Sequence, residues 1–119
     1  MFDFEKLVVY EKSQQLTIEI LSFLKSNKIR DGVLIDQIKR AALSVTLNIA
    51  EGCGRASKAD KKRFYIIARS SAFELVALLQ ILESLEHLSL PSYRQYYAKL
   101  EEISKMLLSL TRKSVSLNP

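Results

Sequence analysis

The segment Gln37–Arg55, QIKRAALSVTLNIAEGCGR, together with the residues just before it, has the pattern of one amphipathic helix and its end. Apolar residues recur at spacings of three and four, which places them on one face of a helix. These residues are Leu34, Ile38, Ala41, Val45 and Ile49. A polar stripe beside them consists of Gln37, Arg40, Ser44, Asn48 and Glu51. Gly52 and Gly54 follow, where a left-handed C-cap favours glycine, so the helix is predicted to end near Glu51.

Three further amphipathic segments flank this helix in the chain. The spacing of apolar residues predicts helices over residues 3–26, 32–51, 57–88 and 91–112. Asp3 is the expected N-cap of the first helix, and Ser57 with Asp60 resembles a capping box at the start of the third. Four amphipathic helices with short links predict an all-α, antiparallel up-down-up-down four-helix bundle, a single domain over residues 1–119. The tail from Lys113 to Pro119 is expected to fray.

The third and fourth helices have long apolar stripes. The stripe of the third is predicted to comprise Phe64, Ile67, Ala68, Ser71, Leu75, Leu78, Leu82 and Leu85. The stripe of the fourth, which has the a/d spacing of knobs-into-holes packing, comprises Tyr93, Tyr96, Leu100, Ile103, Leu107 and Leu110. Tyr93, Tyr96 and Tyr97 are expected to be core or interface aromatics rather than a platform for stacking nucleobases.

Composition narrows the class of protein further. The single cysteine, Cys53, excludes an internal disulfide and a cysteine zinc cluster, which is compatible with a reducing cytoplasm. The sole histidine, His87, leaves too few ligands for a catalytic metal. The N-terminus carries acids where a signal peptide needs positive charge, and no apolar run approaches 18 residues. We therefore expect a cytoplasmic protein with no membrane span, metal or cofactor.

Positive charge is concentrated in one part of the chain. The net charge is +5, and eight basic but only two acidic residues lie between Gln37 and Arg69. Such a patch is either an ordinary solvated face or a site for phosphate backbones. The residues predicted to bind phosphates are Arg55, Lys58, Lys61, Lys62 and Arg69. Because few aromatic residues lie nearby, binding is expected to depend on the backbone and shape of a nucleic acid.

Three stretches of the sequence resemble, in order, the bacterial four helix bundle protein family, also called 23S rRNA intervening-sequence proteins. They are Phe4–Tyr10 (FEKLVVY), Gln37–Gly52 (QIKRAALSVTLNIAEG) and Phe64–Leu75 (FYIIARSSAFEL). The resemblance implies an all-helical bundle that assembles as a homopentameric ring. Some members are encoded in insertions within 23S rRNA genes, and a relative, the accessory protein of diversity-generating retroelements, binds nucleic acid and a reverse transcriptase. The family has no attributed enzymatic activity.

The polar stripe has a structural and a catalytic interpretation. In the first, its side chains satisfy one another at a bundle or subunit interface, because a buried charge needs a partner. In the second, Glu51 and Glu74 form a catalytic carboxylate pair, but no nucleophile or metal set accompanies them. The sequence favours a structural polar network of Gln37, Arg40, Ser44, Asn48, Glu51 and Glu74.

Two functional hypotheses follow from the sequence. The first is a non-enzymatic, self-associating bundle that binds structured RNA or other nucleic acid through Arg55–Arg69. The second is a protein-interaction scaffold or accessory factor, for example for a reverse transcriptase. An enzyme is disfavoured, because the chain has no phosphate-cradling glycine motif, metal-ligand set or catalytic triad.

Overall fold

Four helices form an antiparallel bundle in which each packs against its neighbours in the chain and the first also packs against the last. The computed structural model describes residues 1–115. A 3₁₀ turn, Asp3–Lys6, precedes α1 (Val8–Ser26), α2 (Gly32–Cys53), α3 (Lys58–Ser84) and α4 (Leu90–Val115). The bundle measures 51 × 25 × 22 Å. The predicted all-α up-down-up-down bundle is confirmed. Residues 116–119 of the tail predicted to fray lie outside the described residues.

The core contains the predicted faces of α2 and α4. All five apolar positions of the α2 stripe are buried, and so is the middle of the α4 stripe from Tyr96 to Leu107. A cluster of buried hydroxyls also joins α1 to α2: Ser13 and Thr17 both hydrogen-bond with Thr46, and Thr17 donates to the carbonyl of Ala42 at 3.1 Å. The sequence did not indicate this cluster, because hydroxyl residues usually lie on the solvated side of a helix.

The buried face of α3 is rotated from the predicted one. The buried residues of α3 are Tyr65, Ala68, Ser71, Ala72, Leu75, Leu79 and Leu82. Phe64 and Leu78 are only half-buried, and Ile67 and Leu85 are 38% and 51% exposed. Apolar residues occur all round this helix, so periodicity alone does not select one face; packing against both α2 and α4 does.

Two predicted helix ends were wrong. Asp3 does not cap α1, because Leu7 has an extended backbone and α1 begins only at Val8. Gly52 and Gly54 do not form a left-handed C-cap, since no glycine in the described chain has a positive φ. Gly52 lies inside α2, where it is buried, and the helix ends at Cys53 with Gly54 in a right-handed conformation (φ −83°).

The end of α3 was also predicted too late. The helix ends at Ser84, where Glu86 adopts a left-handed conformation (φ 65°). The His87 N–H donates to the Leu82 carbonyl at 3.1 Å and the Glu86 N–H to the Glu83 carbonyl at 2.9 Å, which is a Schellman motif with glutamate in place of glycine. The turn carries Leu88 back into the core, where it is buried.

Replacing Glu86 with glycine is expected to stabilise the protein. A left-handed L-residue costs about 1–2 kcal/mol, and part of the gain is offset by the greater unfolded-state entropy of glycine. We therefore expect the free energy of unfolding, measured by urea denaturation, to rise by about 0.5–1 kcal/mol. Gln80→Gly, on the exposed side of α3, is the control and should lower it by about 1 kcal/mol. A loss of stability in Glu86→Gly would contradict this account.

Candidate nucleic-acid interface

Basic side chains surround the loop between α2 and α3 at one end of the bundle. Ser57 begins α3, and its hydroxyl accepts a hydrogen bond from the Asp60 N–H at 3.1 Å. This capping places Lys58 and Lys62 in the first two turns of α3. Neither lysine has an ion-pair partner among residues 1–115. Their charges are therefore available to a ligand at a helix N-terminus, which itself favours anions.

Two arginines stack on one aromatic ring at this end. The guanidinium of Arg55 lies 4.5 Å and that of Arg63 4.7 Å from the centroid of Phe64. Arg55 also pairs with Glu51 at 3.0 Å, and Arg63 approaches Asp60 at 3.9 Å. The stack holds both guanidinium groups beside the α2–α3 junction. Arg63 was not among the predicted phosphate-binding residues, although the sequence contained it within the same basic run.

Lys61 has a different environment from its basic neighbours. Its ammonium group donates to the Cys53 carbonyl at 2.7 Å, at the C-terminus of α2. Free carbonyls at a helix C-terminus attract cations, so this contact stabilises the end of α2. Of the predicted set, Lys61 is thus partly engaged in holding α2 against α3.

The structure separates Arg69 from the other four predicted residues. Eleven residues of helix place it about 16 Å along α3 from Lys58. Its guanidinium stacks on Phe73 at 4.8 Å from the ring centroid, and its Nε–H donates to the Ser104 carbonyl of α4 at 3.2 Å. Arg69 therefore lies at the junction of α3 and α4 instead of at the α2–α3 loop.

Basic residues of α4 extend the patch, and the sequence analysis missed them. Because α4 runs antiparallel to α3, its C-terminal half lies beside the N-terminal half of α3, and Lys105 lines a groove together with Arg69. Arg112 follows Lys105 after seven residues, so it lies on the same side of α4. The predicted antiparallel pairing of the last two helices was the signal that could have found them.

The predicted polar network divides into separate groups. Ser44 and Ser71 share a hydrogen bond of 2.7 Å that joins α2 to α3, and the Asn48 amide donates to the Ser44 carbonyl at 2.8 Å. These three side chains form a polar contact between the two helices. A satisfied contact of this kind lets polar groups pack at a helix interface without loss of hydrogen bonds.

The charged members of the stripe are exposed and paired elsewhere. The Arg40 guanidinium donates a hydrogen bond of 2.7 Å to the side-chain oxygen of Gln37, and it forms an ion pair with the Glu74 carboxylate at 3.6 Å. Glu51 instead pairs with Arg55 near the end of α2. Glu51 and Glu74 therefore pair with different arginines. Glu51 lies about 16 Å along α2 from Arg40, the partner of Glu74, so the two acids do not form a carboxylate pair.

Two tyrosines have shifted pKa values, but neither belongs to a reactive cluster. Burial raises the pKa of Tyr65, with a smaller effect from Cys53, and burial raises the pKa of Tyr96, with a smaller effect from the Glu19 carboxylate. His87 is exposed. Among residues 1–115, no three histidine, cysteine or acidic side chains are placed to hold a metal ion. The concentrated positive charge at the α2–α3 end is the feature of the described residues that suits the binding of anions.

One helix in the described chain is long and apolar enough to cross a membrane by length and composition. An 18-residue window within Lys58–Ser84 has a mean hydropathy of 1.5, and 39% of that window is buried in the bundle. A core helix of a soluble protein passes the same test. The absence of a membrane span thus stays a prediction. The bundle also leaves apolar side chains of α3 exposed, among them Ile67, Ile81 and Leu85.

The fold and the basic end define an all-helical bundle with concentrated positive charge at one end and no metal-binding cluster in its described part. The family model for 23S rRNA-intervening sequence proteins matches residues 5–109. The chain belongs to this family, as its sequence motifs indicated. It is also similar to the crystal structure of a protein of unknown function from the S23 ribosomal protein family of Bacteroides thetaiotaomicron, with a TM-score of 0.82 and 29% identity over 88% of this chain and 99% of that one. A search of curated proteins gives no match.

Proposed function

We propose that this protein is a non-enzymatic, cytoplasmic, self-associating bundle that binds structured RNA or other nucleic acid through backbone phosphates. The observation that carries the proposal is the cluster of cations around the start of α3. Lys58 and Lys62 have no ion-pair partner among the described residues, while Arg55 and Arg63 are oriented by Phe64. Arginines that are held in place lose less side-chain entropy on binding phosphate than free ones do. The family description, which refers to 23S rRNA, supports RNA as the first ligand to test.

Self-association is supported by an apolar surface that the single chain leaves uncovered. Its exposed side chains are Leu43, Leu47, Ile67, Ile81 and Leu85. We call this the outer α2–α3 face; the Arg40–Glu74 ion pair joins the same two helices. Contiguous apolar patches on a soluble protein mark interaction sites. We propose that a second copy covers it, in the homopentameric ring that the family resemblance implies, and a ring would repeat the basic end and raise avidity.

A titration with salt tests the RNA-binding proposal. An RNA hairpin contacted through four phosphates, by Arg55, Arg63, Lys58 and Lys62, should show a log–log slope of affinity against salt of about −3.6. The double variant Lys58→Glu, Lys62→Glu should bind at least about tenfold more weakly and with a shallower slope.

The matched control is Lys25→Glu with Lys28→Glu. It makes the same charge change at the opposite end of the bundle, where α1 ends, and both lysines are exposed. Equal losses in the two double variants, or an affinity that does not respond to salt, would contradict a phosphate site at the start of α3.

A scaffold for a different protein, such as a reverse transcriptase, is the second candidate, and the outer α2–α3 face is the observation that favours it. The two candidates make different predictions for the free protein. If another protein covers this face, the purified chain should have the mass of a monomer, 13.6 kDa, at every concentration tested.

A further inference from the structure

A groove of about 340 Å³ opens between α3 and α4, and none of the described residues that line it belongs to the outer α2–α3 face. Two aromatic side chains, Phe73 of α3 and Tyr97 of α4, line it and are 57% and 41% exposed. Exposed aromatic rings beside an open groove provide flat surfaces on which a nucleobase can stack. The sequence had predicted Tyr97 for the core or an interface, and it gave no reason to pair that residue with Phe73.

The charges on the groove complement a phosphate. Arg69 lies over the ring of Phe73, and its Nε–H is bonded to the Ser104 carbonyl, so the guanidinium is fixed at the groove. Lys105 lines the groove from the other helix, and Glu101 is the one acid among the described residues that line it. Two cations beside two rings match a nucleotide, which has a flat base and an adjacent anionic phosphate.

The groove also continues from the basic end. Lys62 and Arg69 are seven residues apart, so they lie on the same edge of α3, which faces α4. The distance between these two positions is about 10 Å along the helix. A strand that leaves a duplex bound at the start of α3 would therefore follow this edge and reach the groove within a few nucleotides.

We propose that the α3–α4 groove receives one unpaired nucleobase of the bound RNA, stacked on Phe73 and Tyr97, while Arg69 and Lys105 bind its phosphate. This inference rests on the proposed RNA-binding function and specifies its ligand: a duplex with an adjoining single-stranded segment. It differs from purely backbone-led binding, because a blunt duplex cannot offer an unpaired base to the groove.

The test compares two RNAs that share one stem: a blunt hairpin, and the same hairpin with a short unpaired 3′ extension that carries 2-aminopurine. The expected results are tighter binding of the extended RNA and quenching of 2-aminopurine fluorescence on binding. Phe73→Ala should weaken binding of the extended RNA by about tenfold, abolish the quenching and leave the blunt hairpin unaffected. Phe73→Leu, which keeps apolar bulk but removes the ring, should also abolish the quenching.

Ile18→Ala is the control, because Ile18 is also 57% exposed but lies on α1; it should change neither RNA. Equal affinity of the wild type for both RNAs, or quenching that persists in Phe73→Ala, would overturn the inference. It would also fail if Phe73→Ala reduced the mass of the assembly, because a second copy would then occupy the groove. The double variant Lys58→Glu, Lys62→Glu should weaken the binding of both RNAs, because it changes only the basic end. Phosphate binding at the start of α3 and base stacking in the groove are thus tested by different variants, and either proposal can fail without the other.

Discussion

Replacing Gly52 with valine is expected to lower the free energy of unfolding by about 3 kcal/mol, the upper range for overpacking a core. A Cβ atom at this position would lie 2.9 Å from Cε1 of Tyr65 and 3.0 Å from Cβ of Phe64. The ring of Tyr65 is buried, and Cβ of Phe64 is attached directly to the α3 backbone, so neither can move aside cheaply. The two helices would have to separate, and valine adds two methyl groups to the collision.

Gly54→Ala is the matched control for this prediction. Its Cβ would meet only the Glu51 and Ala50 carbonyl oxygens, at 3.6 and 3.8 Å, and the φ of −83° suits any residue. We expect its urea midpoint to stay close to that of the wild type. An unchanged midpoint in Gly52→Val would show that the α2–α3 contact can relax at little cost. Because Phe64 also orients Arg55 and Arg63, displacement of α3 should also weaken the proposed binding of RNA.

The second large effect is expected at the outer α2–α3 face. Leu47 and Ile67 are exposed apolar side chains on neighbouring helices. Two glutamates at these positions would bury unpaired carboxylates between subunits, which costs several kcal/mol per charge. The double variant Leu47→Glu, Ile67→Glu should therefore elute as a 13.6 kDa monomer, whereas light scattering of the wild type should give about five times that mass if the ring forms.

The control for this variant is Val8→Glu with Ile18→Glu. Val8 and Ile18 are 56% and 57% exposed on α1, so the control introduces the same charge on a different surface. It should leave the mass of the assembly unchanged. A wild-type protein that is monomeric at high concentration would remove the self-association proposal, and it would favour another protein as the partner of this face.

Much of the candidate site could be predicted from the sequence, and the reason lies in the local character of helices. The basic residues from Arg55 to Lys62 are close in the chain. The α2–α3 loop and the first turns of α3 therefore bring them together, independently of how the other helices pack. Arg69 and Lys105 are separated by 36 residues, and only the pairing of α3 with α4 places them at one groove. Phe73 and Tyr97 line the same groove for the same reason.

The sequence by itself determined the number of helices, their order and the buried faces of α2 and α4. Apolar residues at spacings of three and four mark one face of a helix without any knowledge of the helix that packs against it. The tertiary structure decided the rotation of α3, the role of Gly52 and the end of α3 at Glu86. Each of these depends on what lies opposite: an apolar helix buries the face that its neighbours cover, a buried glycine allows a neighbouring helix to approach, and a left-handed glutamate returns Leu88 to the core.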